Sequence, residues 1–227
     1  MLSSRMAYRV SLLAALAIVF LSVYGQMQGG LAPCGDLSAH YPTVLAFELA
    51  RTGSDLQAIF GDEPSACQNT LRIALTALNQ ADNFVFIPAY GAFLFFFFLG
   101  ARARDATLAT FGLFTTVVAV LADYVENYCL SQLTDMSDTP SRWLLYLPWA
   151  TGLKWMGLAV AGIIGGAILA KRGGFGYLAA LACALGFAVV ALALYDPHSY
   201  GAQISNGILL SWIVFLVVDA RESFRRA

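Results

Sequence analysis

Two carboxylic acids and an amide lie within five residues of each other in the stretch "ADYVENY", where Asp123, Glu126 and Asn127 follow an apolar run. On a helix, spacings of three and four residues place all three side chains on one face. Carboxylates held together in an apolar setting can act as a general acid or base, bind a hard cation, or pair with a buried lysine. The spacing therefore marks one face of a helix as a candidate polar cluster.

Lys154 is the candidate partner for these acids. It lies in another apolar segment, on a helical face made of small residues, namely Ala150, Thr151, Gly157, Ala161 and Gly165. Small residues line helix–helix contacts in membranes because they let backbones approach closely. We therefore expect Lys154 to point into a helix bundle. The alternative is that its long stem lets the amine reach the membrane interface.

The depths of Asp123 and Lys154 along their helices favour an ion pair between Lys154 and the acids. Asp123 follows Arg104 by 19 residues, and Lys154 precedes Lys171 by 17 residues. At a helical rise of about 1.5 Å per residue, those separations are roughly 28 and 26 Å. The two segments are sequential and so antiparallel neighbours. We expect Lys154 to contact Asp123 or Glu126 near one boundary of the apolar layer.

Three further residues fall on the same side and complete the candidate cluster. Asp82 precedes an apolar segment, Tyr90 lies two turns inside it, and Glu48 lies in the motif "FELA". Each has a simpler explanation that stays open. Asp82 is a common helix N-cap residue, and Glu48 is interpreted equally well as part of a solvated face. At the other end of the chain, Asp219 is interpreted as a charge pair with Arg221.

Composition indicates the elements that position these residues. The chain has 227 residues, of which 59% are hydrophobic and 12% charged; soluble domains carry about 25% charged residues. Six apolar segments, at about 10–25, 84–101, 106–128, 143–170, 175–195 and 203–219, approach the roughly 20 residues that a spanning helix needs. They predict an all-α integral membrane protein, a six-helix transmembrane bundle forming one membrane domain over 1–227. The first segment has an alternative as a signal peptide cleaved after Gly25.

Basic residues predict the orientation of this bundle. Nine of the thirteen Lys and Arg residues lie on one side if there are six spans, namely Arg5, Arg9, Arg102, Arg104, Lys171, Arg172, Arg221, Arg225 and Arg226. Short cytoplasmic loops are enriched in basic residues. We therefore expect both termini in the cytoplasm and the segment 26–83 outside. A net charge of −1 gives no basic excess of the kind that binds nucleic acid.

The segment 26–83 is predicted to fold as a small helical cap. Helices are expected from Pro42 and Thr43 onward, over 55–60 and over 67–80, with a break at 52–54 and a stop at Gly61. Cys34 and Cys67 lie in this extracytoplasmic segment, and in an oxidising compartment two such cysteines form a disulfide. The alternative is two unpaired thiols.

The motifs give little support to a metal or cofactor. The two histidines, His40 and His198, have no ligand spacing between them. No nucleophile elbow, phosphate-binding loop or haem signature occurs. No catalytic residue and no cofactor can be assigned. Membrane lipids are the expected partners, and other membrane subunits are a further possibility.

Three motifs resemble those of a known group of proteins. The D-x-x-E-N motif from Asp123 to Asn127, the pair Lys154-Trp155 and the earlier "FELA" resemble those of small bacterial polytopic membrane proteins whose activity is uncharacterised. The resemblance spans roughly 45–155. It implies a membrane location and carries no implication about activity.

Three functions are compatible with these residues. The first is a binding or accessory protein whose polar cluster fixes the helices and receives a partner or a lipid head group. The second is an intramembrane enzyme that acts on a lipid or isoprenoid, with a carboxylate as general acid or base. The third is a proton- or ion-coupled carrier. An apolar tunnel reaching the cluster would favour the enzyme, whereas a tightly packed, dry cluster would favour the accessory role.

Overall fold

The computed structural model describes residues 3–26, 29–62, 64–135 and 140–224. Six segments in these ranges are helices long and apolar enough to cross a membrane. The spanning helices are α1 (Ser4–Gln26), α5 (Ile87–Ala101), which completes a continuous span from Ala66, α6 (Ala106–Asp135), α7 (Pro140–Ala170), α8 (Phe175–Tyr195) and α10 (Ile204–Phe224), whose span begins at Pro197. The described residues contain no β-strand. The predicted all-α six-helix bundle is confirmed.

The spanning helices form a closed ring. Each packs against the next along the chain, and α10 packs against α1, which closes the ring, while also contacting α7. We call the end where α1 begins and α10 ends the terminal end, and the opposite end the cap end. Inside the ring, Phe97 and Phe215 stack with centroids 4.0 Å apart, and Phe93 and Phe98 pack on the edge of the same pair. An aromatic layer therefore fills the middle of the bundle.

The small and polar faces predicted for α6 and α7 point inward. On α6, Gly112, Thr116 and Ala119 are buried, whereas Phe114 and Leu121 are exposed. On α7, the predicted face is mostly buried, with Ala150, Thr151, Lys154, Ala161 and Gly165 among its buried residues. The two helices pack along most of their lengths. Small residues at this contact let the backbones approach, which is the reason the sequence pattern predicts it.

The helices extend beyond the predicted apolar segments at several ends. Hydropathy marks only the part of a helix that suits lipid, and polar residues at either end can continue the same helix. Thus α1 begins at Ser4 rather than near residue 10, α6 continues to Asp135, and α7 begins at Pro140.

Two of the basic residues used to predict orientation, Arg225 and Arg226, lie outside the described residues.

The cap consists of α2 (Thr43–Glu48), α3 (Gly53–Phe60) and α4 (Ala66–Ala81). Thr52 caps α3, accepting a hydrogen bond from the Asp55 N–H, and Gly61 ends α3 with a φ of +81°. Cys34 and Cys67 form a disulfide with their Cα atoms 5.9 Å apart, so the predicted pairing is confirmed. The apolar side of the cap packs on the cap ends of α6 and α7, through Phe47, Ile59, Phe60, Leu71, Leu130 and Leu147.

One tyrosine and one arginine also attach the cap to the end of α8 and the residues that follow it. The Tyr41 hydroxyl donates to the Pro197 carbonyl at 3.0 Å, beside α9 (Pro197–Tyr200). The Arg51 guanidinium donates to the Leu194 carbonyl at the end of α8. Burial raises the pKa of the Tyr41 hydroxyl to about 12. The cap is therefore held to the end of α8 as well as to α6 and α7.

The start of the second spanning helix differs from the prediction. A π-helical turn, Asp82–Phe86, joins α4 to α5, so that the helix is continuous from Ala66 to Ala101. Asp82 has helical dihedrals, φ −61° and ψ −52°, and is not an N-cap. Pro88 follows this turn, and a proline removes the hydrogen bond to the residue four positions earlier. A π turn at that place gives the chain an extra residue over which to adapt.

Candidate functional site

Lys154 lies at the centre of a buried ionic cluster at the cap end. Its Nζ lies 3.0 Å from Asp123 Oδ1 and 3.2 Å from Glu48 Oε2, and it also contacts Glu126 Oε2. The residue is 6% exposed, and Asp123 and Glu126 are 1% and 0% exposed. The ion pair predicted from helical phase and depth is therefore present with both Asp123 and Glu126. The interface-reaching alternative for Lys154 is wrong.

Glu48 enters this cluster from the cap. Trp155 Nε1 donates to Glu48 Oε2 at 3.2 Å, and Thr151 Oγ1 donates to the Glu48 carbonyl at 2.9 Å. Burial raises the pKa of the Glu48 carboxyl, and the neighbouring Lys154 ammonium opposes that shift. One turn of α7 therefore holds the end of α2 at three points. Glu48 is not on a solvated face, and the hydrogen-bonding roles of Thr151 and Trp155 were not predicted.

Tyr90 joins the cluster from α5. Its hydroxyl donates to Asp123 Oδ2 at 2.7 Å, and the side chain is 1% exposed. Asp123 thus has the ammonium of Lys154 on one oxygen and the phenol on the other. Two spanning helices and one cap helix meet α6 at this point.

Asp82 is connected to the cluster through Asn127. The Asn127 side-chain amide donates to Asp82 Oδ2 at 2.7 Å and to Asn83 Oδ1 at 3.0 Å. The Asn79 side-chain amide in turn donates to the Asn127 carbonyl at 2.8 Å. The π turn makes this possible, because it changes the helical phase between Asn79 and Tyr90. Asn79 is not among the candidate residues predicted from the sequence.

The cluster holds more acid than base. Four carboxyl groups converge here, on Glu48, Asp82, Asp123 and Glu126. Within the described residues, Lys154 is the one cationic side chain ion-paired with any of them. No group of three or more His, Cys, Asp or Glu side chains in the same ranges is arranged to hold a metal ion. The lysine ammonium lies between the carboxyl groups of Glu48, Asp123 and Glu126.

A cavity of about 570 Å³ lies beside the cluster. It is enclosed by α1, α2, α4, the π turn and α6, and its lining is mostly apolar, including Leu21, Leu31, Val44, Phe47, Leu78 and Phe86. Its polar lining includes the acids Glu48 and Asp82 and the amides Asn79 and Asn127. An apolar space therefore ends at the acidic side of the cluster, whereas Lys154 itself lies behind Glu48 and does not line the space.

A second cavity connects the same amides with the bundle's outer surface. It measures about 580 Å³ and is lined by α4, the π turn and α6, with Asn79 and Asn127 common to both cavities. Phe84, which also lines it, is 81% exposed, as expected of a side chain that faces lipid. Asn79 and Asn127 therefore separate the inner cavity from a groove on the lipid-facing side.

Another buried polar group lies at the terminal end. Ser11 Oγ lies 2.6 Å from Asp219 Oδ2 and 2.8 Å from the Phe93 carbonyl, and Asp219 is 0% exposed. Asp219 is therefore held by α1, and the predicted pairing with Arg221 is wrong. Residues two apart on a helix face different directions, and Arg221 is exposed.

No protein-family model, no curated protein and no solved structure matches this chain. The resemblance to small bacterial membrane proteins stays a prediction. What the chain does has to be inferred from the cluster and the cavity beside it.

Proposed function

We propose that this chain is a multi-pass protein of a bacterial inner membrane, with both termini in the cytoplasm and the cap outside. Arg102, Arg104, Lys171 and Arg172 support this orientation, because they lie in the two short connections at the terminal end. Basic residues in short loops favour the cytoplasmic side. The disulfide in the cap fits an oxidising compartment on the other side.

In that membrane the chain binds a lipid-like amphiphile. The observation that carries this proposal is the cavity of about 570 Å³, whose apolar walls end at Glu48, Asp82 and Asn127. Ligand pockets in proteins measure about 300–1,000 Å³ and combine apolar walls with a few converging polar groups. The apolar part of the ligand would lie against α1, α2 and α4. Its polar group would lie against the acids and amides of the cluster.

The lysine has a supporting part in this proposal. Lys154 links α2, α6 and α7 through its contacts with Glu48, Asp123 and Glu126. Those contacts hold Glu48 at the wall of the cavity. Binding sites built on rigid, mutually supported side chains lose less conformational entropy on binding. The cluster therefore acts as the fixed polar end of the site.

Intramembrane catalysis on a lipid substrate is the second candidate. It is favoured by the same cavity, because the apolar space reaches two carboxyl groups, Glu48 and Asp82, either of which could donate or accept a proton at a bound head group. The carrier function has less support. The stacked rings of Phe97 and Phe215 fill the bundle between the cap-end cluster and the polar residues of the terminal end.

Native mass spectrometry of the purified full chain tests the binding function. We expect one lipid adduct that survives activation strong enough to remove peripheral lipids. Ala77 lines the cavity, and Ala77→Trp should abolish the retained adduct by filling the space. Ala188 is exposed on α8 and does not line the cavity, so Ala188→Trp is the matched control. Equal retention by both variants would contradict the proposed function.

A further inference from the structure

We infer that the ligand of the cap-end cavity carries a protonated amine, so that the site selects long-chain ammonium amphiphiles against anionic ones that carry a phosphate or carboxylate and no amine. This inference rests on the proposed binding function and adds the chemical class of the head group. It follows from the charge and hydrogen-bonding character of the polar lining, and from buried acceptor atoms beside it.

The charged side chains that line the cavity all have one sign. Glu48 and Asp82 are acids, and no Lys, Arg or His among the described residues contributes to the lining. The nearest cation, Lys154, has its ammonium directed to Glu48, Asp123 and Glu126. An anionic head group would therefore meet acids with no free counter-charge. In a poorly solvated site, like charges repel and opposite charges attract far more strongly than in water.

Two buried acceptor atoms, one in the cavity lining and one elsewhere in the cluster, have no donor among the described residues. The Glu126 side chain does not itself line the cavity; it is 0% exposed, and its Oε1 has no hydrogen-bond partner among the described residues. The Asn79 side-chain oxygen is likewise buried with no donor in the described part of the chain, and Asn79 lines the cavity. Buried polar atoms are nearly always hydrogen-bonded, and each exception calls for an explanation. An ammonium group brings three N–H donors and no acceptor, which matches this acceptor-rich end.

The charge balance points the same way. Four carboxyl groups, on Glu48, Asp82, Asp123 and Glu126, share one lysine. A cationic head group beside Glu48 and Asp82 would supply a second positive charge next to Asp82, the one of the four that is not ion-paired with Lys154 in the described part of the chain. A neutral alcohol could hydrogen-bond there but would leave the charge balance unchanged.

The test is a titration of the purified full chain with amphiphiles that share one chain and differ in head group. Dodecylamine, dodecanol and dodecyl phosphate are compared at pH 7 in detergent micelles, with bound fractions read by native mass spectrometry. We expect dodecylamine to bind at least about tenfold more tightly than dodecanol, and dodecyl phosphate to bind most weakly. A tenfold difference in dissociation constant is about 1.4 kcal/mol, which a single favourable charge contact can supply. Lysophosphatidylethanolamine then separates the two sources of an ammonium group. Tighter binding than dodecylamine identifies an aminophospholipid, and weaker binding identifies a free long-chain amine.

The outcomes separate the inference from the function on which it rests. Equal binding of all three dodecyl compounds, or tightest binding of dodecyl phosphate, would overturn the amine inference and leave a cavity that binds amphiphiles. Binding of none would overturn both. The comparison uses the unaltered chain, so it does not depend on whether a variant folds.

Two variants add a residue-level test. Glu48→Gln should lower the affinity for dodecylamine about tenfold while leaving dodecanol unchanged, because it removes charge but keeps an acceptor at the wall. Asp105→Asn is the matched control, since Asp105 lies at the terminal end, where it pairs with Lys171. An equal loss of dodecylamine and dodecanol in Glu48→Gln, or the same loss in Asp105→Asn, would contradict the inference.

Discussion

Replacing Lys154 by methionine should be among the most destabilising single changes in the cap-end cluster. Methionine is unbranched and fills similar space, so the change removes mainly the charge. Lys154 is 6% exposed and contacts three carboxyl groups, one of them on a residue that is 0% exposed. Removing one partner of a buried pair costs about 3–5 kcal/mol, because the remaining charge stays buried. For chains of this length each kcal/mol lowers the melting temperature by about 2–4 °C, which gives a fall of roughly 6–20 °C.

Thermal unfolding of the detergent-solubilised chain measures this fall, and a second substitution tests its cause. Glu126→Gln in the Lys154→Met background removes a charge that has lost its partner, so it should restore part of the lost stability. In the unaltered background the same change should destabilise. The coupling energy from this double-mutant cycle should be about 1–3 kcal/mol. A coupling of zero with Glu126 and also with Asp123 would refute the ionic explanation of the cluster.

Lys171→Met is the matched control for that experiment. Lys171 is paired with Asp105, but its side chain is 60% exposed. Exposed ion pairs contribute about 0–1 kcal/mol, so this variant should melt within a few degrees of the unaltered chain. A fall as large as that of Lys154→Met would mean that loss of any lysine, rather than of the buried one, explains the result.

Three further outcomes are expected. An impermeant maleimide applied to intact cells should label Ser54→Cys in the cap and leave Arg102→Cys unlabelled, and the reverse pattern would invert the topology. Reduction of the disulfide between Cys34 and Cys67, which are 33 residues apart, should destabilise the cap by about 3–4 kcal/mol on a chain-entropy estimate. The melting temperature should therefore fall when reductant is added to the unaltered chain, and reductant should cause no such fall in Cys34→Ser. Gly186→Ala should destabilise the chain by about 1–3 kcal/mol, because a Cβ there would lie 2.3 Å from the Gly207 carbonyl oxygen. Gly152→Ala is the control: a Cβ there would have no heavy atom within 4 Å, so the melting temperature should not change.

The contact between Lys154 and the α6 acids could be predicted from the sequence because membrane helices share one depth scale. Counting from the basic residues Arg104 and Lys171 places both charges at one level, and the small-residue faces give their direction. For Glu48, no basic residue on the same spanning helix gives a point from which to count its depth. It lies in a cap whose position depends on the disulfide and on the hydrogen bonds from Thr151 and Trp155, none of which helical periodicity encodes.

Asp82 was among the predicted cluster residues, but its place within a continuous helix, its contacts and the cavity could not be predicted, for a related reason. An aspartate before an apolar run is typical of an N-cap, whereas here the helix continues through it and α4 packs on α6. The phase change in the π turn then brings Asp82 to Asn127. The cavity exists because α1, α2, α4 and α6 meet incompletely. A space between four elements follows from their relative positions and leaves no signal in any one segment.

Density in the cap-end cavity is the most direct measurement of the binding function. A high-resolution map of the full chain in lipid nanodiscs should show one elongated feature along Leu21, Val44 and Leu78, ending within hydrogen-bonding distance of Glu48 or Asp82. A map in which side chains close that space, or in which the feature lies outside it on the lipid-facing surface alone, would contradict the proposed function.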